Sequence, residues 1–476
     1  MNKKIGRKRR IFYLIIGAIL LLLSLLNTYL LLKYKILPSK FIYVYLFVAV
    51  VIPILMVLYT LFKKRKTKKK GIILVFEFIY IIVLSLTFFY LNRTFNFLDR
   101  FTAQLGYETK QYIVLVLNDS SYSDIKNIKD KTVGYAKGLD SSIENAKDTL
   151  SKKVSISFKE MDGYGDAFSN LDNKNVDALI LTKAYYDTLL ENEEAEESYG
   201  KYRILYEYHV RVKSENSTKG VNVTKESFNI YITGIDTYGD VTEQTRSDVN
   251  IVVSVNPKTY KILLINIPRD YYVDIAGTDR KDKLTHAGNA GVETSVKTVE
   301  KLLDIDINYY VKVNYNAIIK LVDALGGVDV ESEYDFKSYE FRHPFKKGIN
   351  HVDGKLALDF VRTRKAFLQG DRVRGENQQR MIQAIFKKAS SPSVLIKYDN
   401  ILNALEGNFI TNLRTKDIIS LINMQLDKMP NWEFSTFSLN GGDDYVLTPS
   451  GQNMYVMVPK EESVNEGREL IKENIK

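Results

Sequence analysis

The sequence predicts an α/β protein: three N-terminal transmembrane helices, a small α/β accessory domain, and a larger α/β domain with a central sheet flanked by helices. Three observations lead there. Residues 1–91 hold three apolar stretches, 11–32, 41–62 and 72–91, each about the 20 residues that a helix needs to cross a bilayer. Beyond them, short apolar strands alternate with helical segments in two successive regions. Charge also divides by region. Of 67 Lys and Arg, 16 fall within residues 1–70, which contain no Asp or Glu. The rest of the chain therefore has 51 basic against 57 acidic residues, and the overall +10 is a property of its membrane end. A generic nucleic-acid-binding globule is excluded as a reading, and no nucleic acid is expected as a partner.

The first apolar stretch lacks a small-residue cleavage site and is followed by two more, so it reads as a span and not as a signal peptide. Six basic residues precede it and seven lie in KKRKTKKK (63–70), whereas the loop between spans one and two has three. The positive-inside rule then puts the N-terminus and residues 63–70 in the cytoplasm. Everything after Leu91 falls outside a plasma membrane crossed several times. Glu77 in span three is placed near the cytoplasmic end, where snorkelling toward the basic loop is expected. Pro53 should kink span two. Zero cysteines exclude disulfides, thiolate zinc sites and cysteine nucleophiles.

Residues 92–110, with Phe95, Leu98, Phe101 and Leu105 at helical spacing, read as a stalk. The accessory domain, 111–212, has strands at 112–117, 132–136, 154–158 and 176–182 with helices between them. The run Lys131–Gly134 and the phrase Asn175-Val176-Asp177-Ala178 resemble one lobe of a periplasmic solute-binding protein. Such a lobe binds a ligand or docks on its neighbour, and docking or scaffolding is the favoured role. The run ENEEAEE (191–197) reads as a solvated surface, and 213–227 as a linker.

The last domain, 228–476, opens with strands 229–235, 248–256 and 261–267, the last two joined by the Asn256-Pro257-Lys258-Thr259 turn. Helices are expected at 291–303, 315–325, 353–361, 371–389, 394–405 and 415–427, and strands at 307–313, 433–439 and 453–458. Near-continuous apolar strands imply a sheet covered on both faces.

Three enzyme classes lack their key residues. The four histidines have no zinc-motif spacing, and neither a G-x-S-x-G elbow nor a Walker loop is present. What remains is a set of arginines and aspartates at element boundaries. Asp236 follows the first strand, Arg246-Ser247-Asp248 opens the second, and Pro268-Arg269-Asp270 closes the third. Arg362-Thr363-Arg364 follows a short helix; Asp371, Arg374 and Gln378 lead a long one, spaced to share a face. Guanidinium forks suit phosphate because they donate paired hydrogen bonds and stay charged, and a helix start adds oriented amides. Aspartates among them suit Mg²⁺, which takes carboxylate and phosphate oxygens together. Any one Arg–Asp neighbour pair reads as a surface salt bridge; the set reads as an anion site.

Arg246-Ser247-Asp248, Val255-Asn256-Pro257-Lys258-Thr259, Ile267-Pro268-Arg269-Asp270 and Lys283-Leu284 with Ala287 occur in one order. Ala324-Leu325-Gly326-Gly327-Val328, Leu358 through Arg364, and Asp371-Arg372-Val373-Arg374 with Gln378-Gln379-Arg380 complete it. This run, closest over 228–390, resembles the LytR–CpsA–Psr family. The resemblance implies a phosphotransferase that moves capsular polysaccharide or another glycopolymer from an undecaprenyl-pyrophosphate carrier to peptidoglycan, with pyrophosphatase turnover as a side activity. On the matching positions, Asp236 and Asp248 would hold Mg²⁺, or Mn²⁺. Arg246, Arg269, Arg362, Arg364 and Arg374, with Gln378, would grip the pyrophosphate, and Asp371 would orient an arginine or assist the acceptor hydroxyl. Lys283 would bind phosphate or pair with Asp282 or Asp279. The lipid needs an apolar slot, for which Ile318, Val322 and Leu325 are candidates, ordinary core being the alternative for each. The partners implied are the polymer carrier, the peptidoglycan acceptor, membrane lipid and capsule-synthesis machinery. A membrane sensor or assembly regulator, acting through the accessory domain and cytoplasmic tails, is the reading from another class. The chain departs from many relatives at Thr237-Tyr238, where an arginine is usual, and at Asn266, where serine is.

Overall fold

The computed structural model describes residues 2–35, 39–62, 68–103, 107–137, 140, 142–190, 198–213, 219–235, 237–368, 370–391, 397–449 and 452–476. The chain forms two compact units.

One unit holds residues 1–103, 222–224 and 413–431. Among the described residues, three of its helices are long and apolar enough to cross a membrane: Ile11–Tyr34, Phe41–Phe62 and Gly71–Asp99. A π-helical turn, Phe47–Val51, precedes Pro53, where the missing N–H and the ring disturb the regular ladder. Glu77 differs from expectation. It is buried and accepts a hydrogen bond from Thr60 Oγ1 at 3.1 Å, because its phase on the helix points it at the second span. Residues 92–103 prolong the third helix, Lys68–Ala103, without a break. Helix Thr415–Lys428 belongs to this unit, and Asn423 Nδ2 donates to the Lys35 carbonyl at 2.6 Å.

The other unit contains two sheets. The first has order β3-β2-β4-β1-β5: β1 (Tyr107–Leu117), β2 (Thr132–Ala136), β3 (Ser157–Met161), β4 (Ala178–Thr182) and β5 (Tyr202–Lys213). β3 lies three residues later than expected, and β1 starts inside the segment read as stalk. β5, which the sequence reading did not name, pairs with β1 along its whole length. Helices Ile143–Ser151, Tyr164–Asp172 and Lys183–Leu189 give apolar clusters on both faces. The ENEEAEE run lies outside the described residues. Lys219, within the expected linker, is pinned by Glu300 and Asp306.

The second sheet has order β16-β11-β6-β7-β8-β17: β6 (Phe228–Ile235), β7 (Ser247–Asn256), β8 (Lys261–Asn266), β11 (Tyr309–Val313), β16 (Phe409–Thr411) and β17 (Glu433–Ser438). Asn256 Oδ1 accepts from the amides of Lys258 and Thr259, which closes the β7–β8 turn. On one face, helices Val292–Leu303 and Glu461–Ile475 bury Tyr231, Ile265, Val299 and Ile471. On the other lie Tyr315–Ala324, Gly354–Arg362 and Gly370–Ala389. Small paired strands extend the fold: β9 (Tyr272–Asp274) with β10 (Lys281–Lys283), β12 (Val328–Ser332) with β15 (Gly348–Val352), and β13 (Phe336–Lys337) with β14 (Pro344–Phe345). Another hairpin, β18 (Gly441–Leu447) with β19 (Asn453–Pro459), follows β17.

The accessory lobe is docked on the large domain through its first strand. Thr109 exchanges backbone hydrogen bonds with Thr242 and Gln244, each 2.9 Å. The buried Glu108 carboxylate accepts from Gln244 Nε2 at 2.7 Å and from the Val292 amide at 3.1 Å. A helix start favours that negative charge.

Candidate functional site

Five arginines, one lysine and one glutamine reach a single cavity because the fold brings strand ends and helix starts to one place. At the β6–β7 edge the register shifts between Gly234 and Ile235, a bulge that re-aims the residues beside Arg246 and Asp248. The turn Gly288–Ala290 lies against the backbone of Arg246. A Cβ on Gly288 would sit 2.5 Å from the Thr245 carbonyl oxygen, so only glycine permits this support. Asp236 lies outside the described residues.

Arg269 leaves β8 after Pro268. Its Nη1 donates to Asp248 Oδ1 at 2.9 Å, and its Nε is 3.6 Å from Asp270 Oδ2. Thr285 Oγ1 donates to the same Asp248 oxygen at 3.1 Å. The β9–β10 pair returns Lys283 to this turn, with its Nζ 3.3 Å from Asp270 Oδ1. An aspartate thus pairs with this lysine from the preceding turn, while Asp282 faces His286 Nδ1 at 2.9 Å.

Arg362 closes helix Gly354–Arg362. Its Nη1 donates to Glu340 Oε2 at 3.1 Å, and its guanidinium stands 4.5 Å from the Tyr315 ring centroid. Glu340 is presented by a loop whose amides, Glu340 and Phe341, each donate to the buried Asp359 carboxylate at 3.1 Å. Arg364 is exposed and has no ion pair among the described residues. Asp371, Arg374 and Gln378 share a face at the start of Gly370–Ala389, where Arg374 pairs with Asp371. Gln379 fixes that helix to the sheet by donating to the carbonyls of Leu264 (3.0 Å) and Phe437 (2.8 Å). Gly375 is needed here, since a Cβ would fall 2.2 Å from Asn266 Nδ2.

The resulting cavity has a volume of about 760 Å³ and is lined by Arg246, Arg269, Lys283, Arg362, Arg364, Arg374, Gln378 and Asp248. Val249, Val313, Ile318, Leu358 and Val361 give it an apolar wall. Of the three candidates for an apolar slot, Ile318 lines the cavity, whereas Val322 and Leu325 are fully buried core.

Burial alone would raise the pKa of Asp248, but Arg269, Arg246 and Arg374 hold it below the usual carboxylate range. Burial likewise opposes the charge on Arg269, and Asp248, Asp270 and Asp371 override it. The cavity floor is therefore an ionised network. A divalent cation bridged to phosphate needs only one or two carboxylates, and the anionic Asp248 is a hard oxygen donor of that kind. Asp248 is the carboxylate that lines the cavity among the described residues, where no group of three His, Asp or Glu converges.

Sequence reasoning missed Tyr445, Asn453, Met454 and Tyr455 of the β18–β19 hairpin, along with Asn314 and Tyr315, all of which line the cavity. The β-prone run Tyr445-Val446-Leu447 is a signal for the hairpin strand, but nothing local says which way it faces. Asn314 was legible as a helix cap: its Oδ1 accepts from the Ala317 amide at 2.9 Å.

The large domain is similar to known proteins. Residues 198–472 match the LytR_cpsA_psr family. The polyisoprenyl-teichoic acid–peptidoglycan teichoic acid transferase TagU of Bacillus cereus is 39% identical over 216 residues, 44% of this chain and 70% of that protein. TagT of Bacillus subtilis, with the same activity in its name, is 38% identical over 229 residues, 45% of this chain and 70% of its own. The solved structure of TagT bound to LIIa-WTA aligns over 55% of this chain and 96% of its own, at 31% identity and a TM-score of 0.45.

Proposed function

The chain belongs to the LytR_cpsA_psr family, and from that premise we propose that it transfers a glycopolymer from a polyprenyl pyrophosphate carrier to peptidoglycan. The observation that carries this reading is the cavity itself, in which five guanidinium groups meet a wall of aliphatic side chains. A diphosphate with a hydrocarbon tail is the ligand class that needs both. The names of the relatives TagU and TagT support a cell-wall glycopolymer as cargo. Capsular polysaccharide is the specific polymer proposed, and undecaprenol the specific lipid. The positive-inside asymmetry of the three apolar helices supports an extracytoplasmic cavity.

Phosphoryl transfer is governed by positioning and charge neutralisation. An acceptor sugar hydroxyl attacks the phosphorus nearer the polymer. A new P–O bond forms, the phosphoanhydride bond breaks, and the lipid monophosphate leaves. Arg246, Arg269, Arg362, Arg364 and Arg374 neutralise the charge that builds on the phosphoryl oxygens, while Gln378 and Lys283 fix the diphosphate. Asp371, paired with Arg374 just outside the residues that line the cavity, would orient that arginine or assist the acceptor hydroxyl. Asp248, with Asp236, would hold Mg²⁺ or Mn²⁺, which supplies Lewis-acid neutralisation when bound. Water in place of the acceptor gives a pyrophosphatase side reaction.

The test is polymer attachment to the wall in cells carrying Arg269→Ala, Arg362→Ala or Asp248→Ala, with membrane levels of each variant checked. All three should lose attachment. Wild-type attachment in all three would overturn the proposal.

A further inference from the structure

We propose that the β18–β19 hairpin is a saccharide-binding wall of the cavity, with Tyr445 as a stacking platform for a pyranose ring. The inference deepens the transferase reading and rests on it. Tyr445 and Tyr455 stand directly opposite in the hairpin register, with ring centroids 5.9 Å apart at 72°. Both line the cavity together with the arginines, and Tyr445 is nevertheless 66% exposed. An exposed aromatic face on a cavity that already has arginines and an aliphatic wall suits a ligand part that is itself part apolar and part polar. A pyranose has that character: its C–H face packs on a ring, and its hydroxyls seek hydrogen-bonding neighbours. Asn453, two residues from Tyr455 on the same strand face, supplies amide donors and an acceptor there.

The hairpin also carries charge, beside its cavity-lining residues, that disfavours the other parts of the substrate. Asp443 and Asp444 lie on β18, and Tyr455 donates its hydroxyl to Asp443 Oδ1 at 2.7 Å. Carboxylates repel a diphosphate and offer nothing to a hydrocarbon chain, and both of those already have walls of their own. The hairpin is held in place at both ends. The Met457 amide donates to the Asp270 carbonyl at 2.8 Å, and Tyr271 donates its hydroxyl to the Asn440 carbonyl at 2.6 Å, which fixes the wall to the turn carrying Arg269. At its tip, Gln452 Nε2 donates to the Leu189 carbonyl of the accessory lobe at 2.7 Å. A wall fixed in this way binds without an ordering cost.

Sugars reach the cavity from two sources, the polymer on the carrier and the incoming peptidoglycan, and the chemistry of recognition is the same. The experiment uses full-length protein in detergent with Tyr445→Ala and Tyr445→Trp. Farnesyl pyrophosphate, which has no sugar, measures the phosphate and lipid walls. Steady-state transfer measures KM separately for the glycolipid donor and for a peptidoglycan oligosaccharide acceptor. Tyr445→Ala should leave farnesyl pyrophosphate affinity unchanged and raise one KM about tenfold, the worth of one aromatic contact. Tyr445→Trp should restore it. A rise in donor KM assigns the platform to the polymer sugar, and a rise in acceptor KM assigns it to peptidoglycan. Unchanged values of both KM, or a parallel loss of farnesyl pyrophosphate affinity, would overturn the saccharide wall. Should wild-type protein neither transfer nor bind farnesyl pyrophosphate, the transferase reading fails on its own. Saturation-transfer NMR with a free N-acetylhexosamine oligosaccharide, wild type against Tyr445→Ala, then decides the wall separately: equal transfer, or none in either, rejects it.

Discussion

Lys312 Nζ lies 3.6 Å from Glu108 Oε1, and both side chains are almost wholly buried. One residue belongs to the central sheet and the other to the accessory lobe, so the pair joins the two. Lys312 also donates to the Glu243 carbonyl at 2.6 Å, in the loop that leads to Arg246. Removing one partner strands a buried charge. Glu108→Ala should lower unfolding stability by about 3 kcal/mol. The double variant with Lys312→Met should recover most of it. Urea unfolding of the full-length protein, followed through Trp432 fluorescence, checks this; additive losses would show that the pair is uncoupled.

The same lysine gives a pH signature. Burial holds its pKa below the usual 10.5, with the Glu108 carboxylate opposing that shift. The unfolded chain therefore binds more protons than the native one between the lowered value and 10.5, and stability contributed through Lys312 rises with pH across that window. Lys312→Met should remove this rise. Parallel stability curves for the two proteins on the alkaline side of neutrality would contradict the assignment.

Arg269 and Arg364 should separate stability from activity. Arg269 bridges the half-buried Asp248 and the buried Asp270, so Arg269→Ala should lose both attachment activity and about 3 kcal/mol of stability. Arg364 is exposed and has no ion pair among the described residues. Arg364→Ala should keep the wild-type unfolding midpoint and lower transfer by about 100-fold, as for loss of one charge-stabilising donor. A destabilised Arg364→Ala, or one with full activity, would count against its role.

The absence of cysteine makes orientation directly measurable. Asn173→Cys, exposed on the accessory lobe, should react with a membrane-impermeant maleimide in intact wall-digested cells. Thr67→Cys, in the basic loop, should react only after lysis. The reverse pattern would invert the topology and move the cavity to the cytoplasm.

How far sequence could reach depended on how local the determinant was. Arg374 and Gln378 are one helical turn apart, so their shared face needed only the period of the helix. Arg246 and Arg269 were legible because strand ends carry their own markers, a register-breaking loop and Pro268. The partner of Lys283 was not, because Asp270 is far off in sequence and meets it only through the β9–β10 pairing. Glu77 failed for a related reason. Its depth in the span was readable, but its azimuth toward Thr60 depends on how three helices rotate against each other. Tyr445 escaped because an exposed aromatic on a strand looks the same whether it faces a cavity or bulk water. The start of β3 slipped three residues because VSISF and SFKEM overlap as plausible strands.

At least three of the arginines that line the cavity already hold carboxylates: Arg269 with Asp248 and Asp270, Arg362 with Glu340, and Arg374 with Asp371. At these arginines anion capture is accordingly an exchange of partners and not the occupation of bare cations. What the substrate gains from them is the difference between two sets of charge pairs, so this part of the guanidinium cluster favours neither entry nor exit by much. Retention must come from the groups that the carboxylates cannot imitate, the hydrocarbon tail and the sugars. Once the glycan has moved to its acceptor, the lipid monophosphate has lost one phosphate and every sugar, and the internal carboxylates reclaim their arginines. Product departure is thereby built into the resting ion pairs, and the expected mark of it is a lipid monophosphate that competes only weakly against the substrate.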